Sequence, residues 1–288
     1  MPELDPRLTP ARPDLAASFL KGRVEAERFV DPVVHIAADP VLPIRRGPDR
    51  LAGMDDQLLF GDHFAVLEAR DGWAWGYSHR DGYVGWVEMS GLSDVVWAPT
   101  HRVSVLRTYA YVEPDFKTAP TALLSLNARV RILERDGRFV KAEDLGWMVE
   151  AHLCALDEFS GDFVSVAEGF LGAPYLWGGK ESLGLDCSGL TQMALMAAGL
   201  DIPRDTDQQE ARLGALWENV TKQSERARGD VVFWPGHVGI LTDSEHLLHA
   251  NAHTMDVTLE PFKEAEERIR EKENPVSSIF RPPAGLTA

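Results

Sequence analysis

Leu185-Asp186-Cys187-Ser188-Gly189-Leu190 is the stretch on which the fold turns. Asp186 has the chemistry of a helix N-cap, a carboxylate able to accept a backbone N–H of the first turn. Behind it Leu190, Met193, Ala194 and Ala197 recur at helical spacing, and Gly199 stands where a C′ glycine closes a helix. The pattern predicts a helix over 187–198 with Cys187 in its first turn. Unpaired N–H groups and the positive end of the helix dipole favour thiolate there, which lowers the Cys pKa from its free value of about 8.5. Asp186 acts in the opposite sense unless its carboxylate is occupied in capping. Taken alone, Cys187 reads equally well as a small buried residue at a helix start.

Two strand-like runs follow, His237-Val238-Gly239-Ile240-Leu241 and His246-Leu247-Leu248-His249-Ala250, joined through Thr242-Asp243-Ser244-Glu245. His237 and His249 are 12 residues apart. An even separation puts both on one face of a hairpin, opposed or diagonal. Opposed Cβ atoms lie about 5 Å apart, so two imidazoles can share a hydrogen bond. One can take a thiol proton while the other fixes its tautomer. The competing reading is two sheet histidines packed among apolar neighbours. A metal reading rests on His246, His249 and His253, whose spacing would line one helical face. The hairpin pattern argues against a helix there and no carboxylate pairs with them, so no metal and no cofactor is expected. His35, His63, His79, His101 and His152 read as structural or exposed, and Cys154 as a buried apolar filler.

Outward from this region the texture changes. A helix is expected over 163–171, a strand over 230–234 and a charged amphipathic surface helix over 261–270. Upstream, short β runs are punctuated by Asp71-Gly72 and Asp81-Gly82 turns, giving a small barrel. A weak second copy follows. Asp136-Gly137 parallels Asp71-Gly72, and Gly146-Trp147-Met148-Val149 parallels Gly85-Trp86-Val87. The N-terminal arm is Pro-rich until Asp14, which is expected to cap a helix through Leu15, Phe19, Leu20 and Val24. The expected domains are an arm and helix over 1–28, β modules over 29–95 and 96–156, and an α+β domain over 157–288.

The chain has 288 residues, 44% apolar and 26% charged, with 24 Gly and 18 Pro, which excludes disorder, collagen-like repeats and a coiled coil. No apolar stretch approaches the roughly 20 residues of a membrane span, so no membrane partner is expected. Met1-Pro2-Glu3-Leu4-Asp5-Pro6-Arg7 lacks a basic segment followed by an apolar one, from which a cytoplasmic location is expected. Net charge is −16, from 29 basic and 45 acidic side chains. Such a surface repels nucleic acid and anionic wall polymers and accommodates a small soluble ligand more easily. Two cysteines make neither a disulfide framework nor a Cys-x-x-Cys zinc site, which leaves Cys187 as a candidate nucleophile.

Six blocks occur in order: Tyr175-Leu176-Trp177-Gly178-Gly179, the stretch around Cys187, Pro203-Arg204-Asp205-Thr206-Asp207-Gln208, Gly229-Asp230-Val231-Val232-Phe233, Gly236-His237-Val238-Gly239-Ile240 and His249-Ala250. Together they closely resemble the NlpC/P60 cysteine peptidases, and the β modules more loosely resemble bacterial SH3 domains. The whole looks like a γ-D-glutamyl-L-diamino acid endopeptidase with two such modules ahead of a papain-like domain. The resemblance implies Cys187 as nucleophile, His237 as base, His249 as orienting residue and Tyr175 as oxyanion partner. It implies that Asp186, Ser188 and Thr206 line the groove, with Thr206 standing where the family more often has Ser. It further implies that the first module recognises a free amine through Tyr83 and an acid, with Asp55 first in order and Asp56 and Asp62 behind it. The implied substrate is a free murein tri- or tetrapeptide beginning with L-Ala, cut between D-Glu and diaminopimelate, and no cofactor is implied. Two other classes are open: a papain-like amidase or acyltransferase acting on another amide or ester, and a non-catalytic wall-binding SH3 protein.

Overall fold

A computed structural model of the chain describes residues 4–222, 225–272 and 275–287. It divides into two units, Met1–Leu156 and Asp157–Ala288.

In the first unit, hairpin geometry follows from turn chemistry. His63–Arg70 pairs with Trp73–Ser78 in a register that sets Arg70 opposite Trp73, leaving Asp71-Gly72 as the turn. Both turn residues are left-handed, with φ of 50° and 81°, as a twisted two-residue hairpin requires. These strands belong to a seven-stranded sheet between Val33 and Ser93. It wraps a core of Ile44, Leu58, Phe64, Val66 and Val87. Residues 101–155 form a five-stranded and a three-stranded sheet. Val84–Glu88 and Gly146–Val149 are each followed by one 3-10 turn, Met89–Gly91 or Glu150–His152, and a short strand, Leu92–Ser93 or Leu153–Ala155. The two sets touch where Gly61 has no side chain. The Arg129 N–H donates to the Phe60 carbonyl at 2.9 Å, and a Cβ on Gly61 would lie 2.1 Å from the Arg129 oxygen.

The arm departs from expectation. Instead of a helix from Asp14, it forms a two-residue strand, Ala16–Ala17, and a single 3-10 turn, Ser18–Leu20. Leu15, Ala17 and Leu20 are buried against Leu67, Trp75 and Trp86, and Arg12 stacks 4.2 Å over the Trp75 ring. The Asp14 carboxylate accepts from Arg12 rather than from a helical N–H. Tertiary burial has overridden local helical spacing. Cys154, expected to be buried, is half-buried in Leu153–Ala155.

The second unit holds helices α1 (Phe163–Glu168), α2 (Cys187–Ala197), α3 (Thr206–Gly214) and α4 (Phe262–Lys272). Its six-stranded sheet comprises β1 (Glu218–Asn219), β2 (Val231–Trp234), β3 (His237–Leu241), β4 (His246–Asn251), β5 (Asp256–Pro261) and β6 (Ser278–Arg281), in the order β1-β6-β2-β3-β4-β5. Every residue of α2 is buried, the signature of a helix surrounded by protein. It packs on α1 and on β3 and β4. Gly199 ends it at φ 88°, as the sequence predicts. α4 lays Phe262, Ala265 and Ile269 on Trp234, Leu241 and Leu247. Burial of Phe262 and Ile269 stabilises by about 1.5–3 kcal/mol each. Among the described residues no helix is long and apolar enough to cross a membrane.

Candidate active site

The site begins at the N-terminus of α2. Asp186 Oδ1 accepts the Gly189 N–H at 2.8 Å, so the cap predicted from sequence sets Cys187 in the first turn. The cap is part of a larger cluster. The Arg204 guanidinium donates Nη1 to Asp186 Oδ1 at 2.9 Å and to Ser188 Oγ at 2.7 Å, and Nη2 to Asp186 Oδ2 at 2.7 Å. The Gly178 N–H also reaches Asp186 Oδ2 at 2.8 Å. Arg204 is 1% exposed. The side chains of Asp186 and Ser188, expected to line the groove, are instead turned inward and committed to this cluster. A buried carboxylate needs such partners. Gly189 lets the Gly178-Gly179 loop approach, since a Cβ there would lie 2.2 Å from the Gly179 oxygen.

Cys187 is buried, and this reverses the pKa expectation. Desolvation, with the Asp186 charge second, pushes its thiol up to about 12 against the Val238 N–H, the Thr206 hydroxyl and Arg204. Thr206 Oγ1 stands 4.0 Å from the sulfur at the start of α3. The Val238 contact brings the sulfur to the beginning of β3, the strand that His237 opens.

The β3–β4 register pairs Ile240 with Leu248 and Leu241 with Leu247. His237 and His249 therefore share a face and sit diagonally rather than directly opposed. His237 Nε2 and His249 Nδ1 are 2.7 Å apart. Gly239 stands across from His249, and a Cβ on it would lie 2.7 Å from Leu247 Cδ1 and 3.2 Å from His249 Cβ. Burial first, then His249 and Arg268, lower the His237 pKa to about 3, against the pull of Glu260. Both shifts favour the uncharged form, thiol for Cys187 and imidazole for His237.

Two residues that sequence reading missed complete the array. His249 Nε2 lies 2.7 Å from Glu260 Oε1 on β5, and Arg268 on α4 donates Nη1 to Glu260 Oε2 at 2.7 Å and Nη2 to Oε1. Burial works against the Glu260 carboxylate, but the Arg268 and His249 contacts hold its pKa down at about 2. His246, by contrast, pairs through Nδ1 with Asp243 and shares no helical face with His249 and His253. Among the described residues no group of three or more His, Cys, Asp or Glu is arranged to hold a metal ion.

Tyr175, Trp177, His237, His249, Asn251 and Arg268 contribute to the lining of a cavity of about 320 Å³. Tyr175 is fixed by its N–H, which donates to the Met255 carbonyl at 2.9 Å, and by a bridge to Leu185. The remaining expected residues lie in the first unit. Tyr83 is 5% exposed within the core of the seven-stranded sheet. Asp55 does not stand free, because Arg46 grips both its oxygens at 2.6 and 2.7 Å. Asp56 is fully buried, and Asp62 is fully buried and ion-paired with Arg80.

Comparison with known proteins defines the class. The NlpC/P60 family model matches residues 172–270, and that of the bacterial dipeptidyl-peptidase SH3 domain matches 44–92. The chain carries an NlpC/P60 domain preceded by a bacterial SH3 domain. It is similar to the γ-D-glutamyl-L-lysine dipeptidyl-peptidase of Bacillus subtilis, 26% identical over 67% of this chain and 71% of that one. The protein of the same name from Bacillus cereus is 23% identical over 73% of this chain and 71% of that one. Dipeptidyl-peptidase 6 of Lysinibacillus sphaericus is 29% identical over 46% of this chain, which spans only 48% of that relative's length. Among solved structures, an NlpC/P60 family protein from Bacillus cereus shares the fold with a TM-score of 0.72 at 18% identity, covering 86% of this chain and 99% of that one.

Proposed function

We propose that the protein is a cysteine endopeptidase that hydrolyses the γ-D-glutamyl–diamino acid bond of free murein stem peptides, L-Ala-γ-D-Glu-diaminopimelate among them. The observation that carries this reading is the placement of Cys187 at the N-terminus of α2 with its sulfur against the Val238 N–H, next in the chain to His237, whose ring pairs with His249. The names of the two Bacillus relatives supply the bond class.

The steps follow from the resting protonation states. Because the thiol is held neutral, His237 takes its proton as Cys187 Sγ attacks the γ-carbonyl carbon, and the C–N bond breaks after addition. The oxyanion is met by the Cys187 backbone N–H and the Tyr175 hydroxyl. His237, now imidazolium, gives its proton to the leaving amine, and water then hydrolyses the thioester. Thr206 stands beside the sulfur and holds its approach. Recognition of the peptide's free amine is assigned to Asp55, whose carboxylate exchanges Arg46 for the ammonium; Tyr83, buried in the core of its sheet, takes no direct part. The residues at 96–156 make a second SH3-like module.

The setting proposed is cytoplasmic recycling of released peptides rather than wall remodelling. The net charge of −16 supports a small soluble substrate over an anionic polymer. The test is incubation with free tripeptide and, separately, with intact sacculi. The proposal expects release of diaminopimelate from the tripeptide, and preferential digestion of sacculi would overturn it.

A further inference from the structure

The His237–His249 pair does not end at His249. Glu260 on β5 and Arg268 on α4 extend it into a line of four side chains, and the donors and acceptors along that line leave little freedom. We infer that the Glu260–Arg268 pair is a positioning unit that sets the tautomers of both histidines and so leaves Nδ1 of His237 bare to accept the Cys187 proton.

Both Glu260 oxygens accept from Arg268, so the carboxylate is ionised and can only accept. His249 Nε2, 2.7 Å from Oε1, must then carry a proton. A neutral imidazole has one N–H, so His249 Nδ1 is an acceptor and the His237 nitrogen 2.7 Å away, Nε2, must donate to it. That uses the single proton of a neutral His237 and leaves its Nδ1 with a free lone pair.

Arg268 has a second effect. Without it, an unpaired Glu260 would stabilise a doubly protonated His249. That ring would donate from Nδ1 to His237 Nε2 and force the His237 proton onto Nδ1, where it blocks the base. The guanidinium already satisfies the carboxylate and repels a second cation. Among the described residues, Glu264 also acts on Arg268, from its own helix. Glu260 and Arg268 touch no reacting atom. They act through the two rings.

This inference rests on the reading of Cys187 as nucleophile and His237 as base, and its test uses no peptide. In the full chain labelled with ¹⁵N-histidine, long-range ¹H–¹⁵N spectra at pH 7, assigned with His237→Asn and His249→Asn, report which ring nitrogens carry protons. The expected result is a protonated Nε2 and a bare Nδ1 on both rings, and a protonated Nδ1 on His237 would overturn the inference. Glu260→Gln adds a kinetic readout in a Cys154→Ser background. Gln must present its NH₂ to a donor, either His249 or Arg268. Iodoacetamide alkylation of Cys187 at pH 7 should slow by on the order of 100-fold, with Arg268→Met slowing it in the same direction. Alkylation within twofold of the parent for both variants would overturn the inference even if both melt at lower temperature. If the wild type shows the expected tautomers and fails to cleave the tripeptide, the substrate reading falls and the positioning unit stands.

Discussion

Arg204 and Asp186 meet as a buried two-point ion pair, 2.7 and 2.9 Å, directly before Cys187, the proposed nucleophile. Both side chains are buried. Arg204 also holds Ser188, so one guanidinium ties the cap, the first turn and the Gly178-Gly179 loop into one piece.

Removing the guanidinium should therefore act on stability before it acts on chemistry. Arg204→Met leaves Asp186 charged, buried and short of its counter-ion, a change that costs about 3–5 kcal/mol. Thermal or urea unfolding of the variant measures this. A midpoint equal to wild type would mean that the cluster contributes nothing.

The resting protonation states fix the shape of the pH profile. His237 accepts a proton only when neutral, and its pKa of about 3 places that loss far on the acid side. Cys187, with its pKa pushed up to about 12, gives no rise from thiolate formation across neutrality. The proposed substrate's α-amine, with a pKa of about 8, must stay protonated for the proposed pairing with Asp55. Accordingly, kcat/KM should be flat from about pH 5 to about pH 8 and fall above that. A bell centred between two pKa values inside that window would indicate a resting thiolate–imidazolium pair instead.

Gly239 is the point where sequence economy meets site geometry. Its hydrogen faces Leu247 and His249, so Gly239→Ala forces the β3 and β4 side chains apart. Such overpacking costs about 1–3 kcal/mol. The shift should lengthen the His237–His249 contact and lower kcat more than it alters KM. An alanine variant with wild-type kcat would show that the two rings tolerate displacement.

What could be read from the residues was local in origin. Asp186 before Cys187, the Asp-Gly turns and the even spacing of His237 and His249 each encode their geometry within a few residues, and the structure forms those elements. Glu260 and Arg268 carry no such mark. They reach His249 through the β4–β5 pairing, which sets Glu260 opposite Leu247, and through the docking of α4. Nothing near either residue in the chain reports those contacts. The arm misled for the converse reason. Leu15, Leu20 and Val24 fit a helix locally but are spent on Trp75 and Trp86, residues far along the chain. The thiol's rise in pKa was hidden for a related reason. The helix dipole is legible at Cys187, whereas the burial that outweighs it is a property of the whole unit.

The most direct measurement is cleavage of L-Ala-γ-D-Glu-diaminopimelate by wild type and by Cys187→Ala, with the N-acetylated peptide alongside. The account expects wild type to release free diaminopimelate, the alanine variant to release none, and acetylation to abolish turnover. Cleavage by the alanine variant, or equal cleavage of the acetylated peptide, would contradict it.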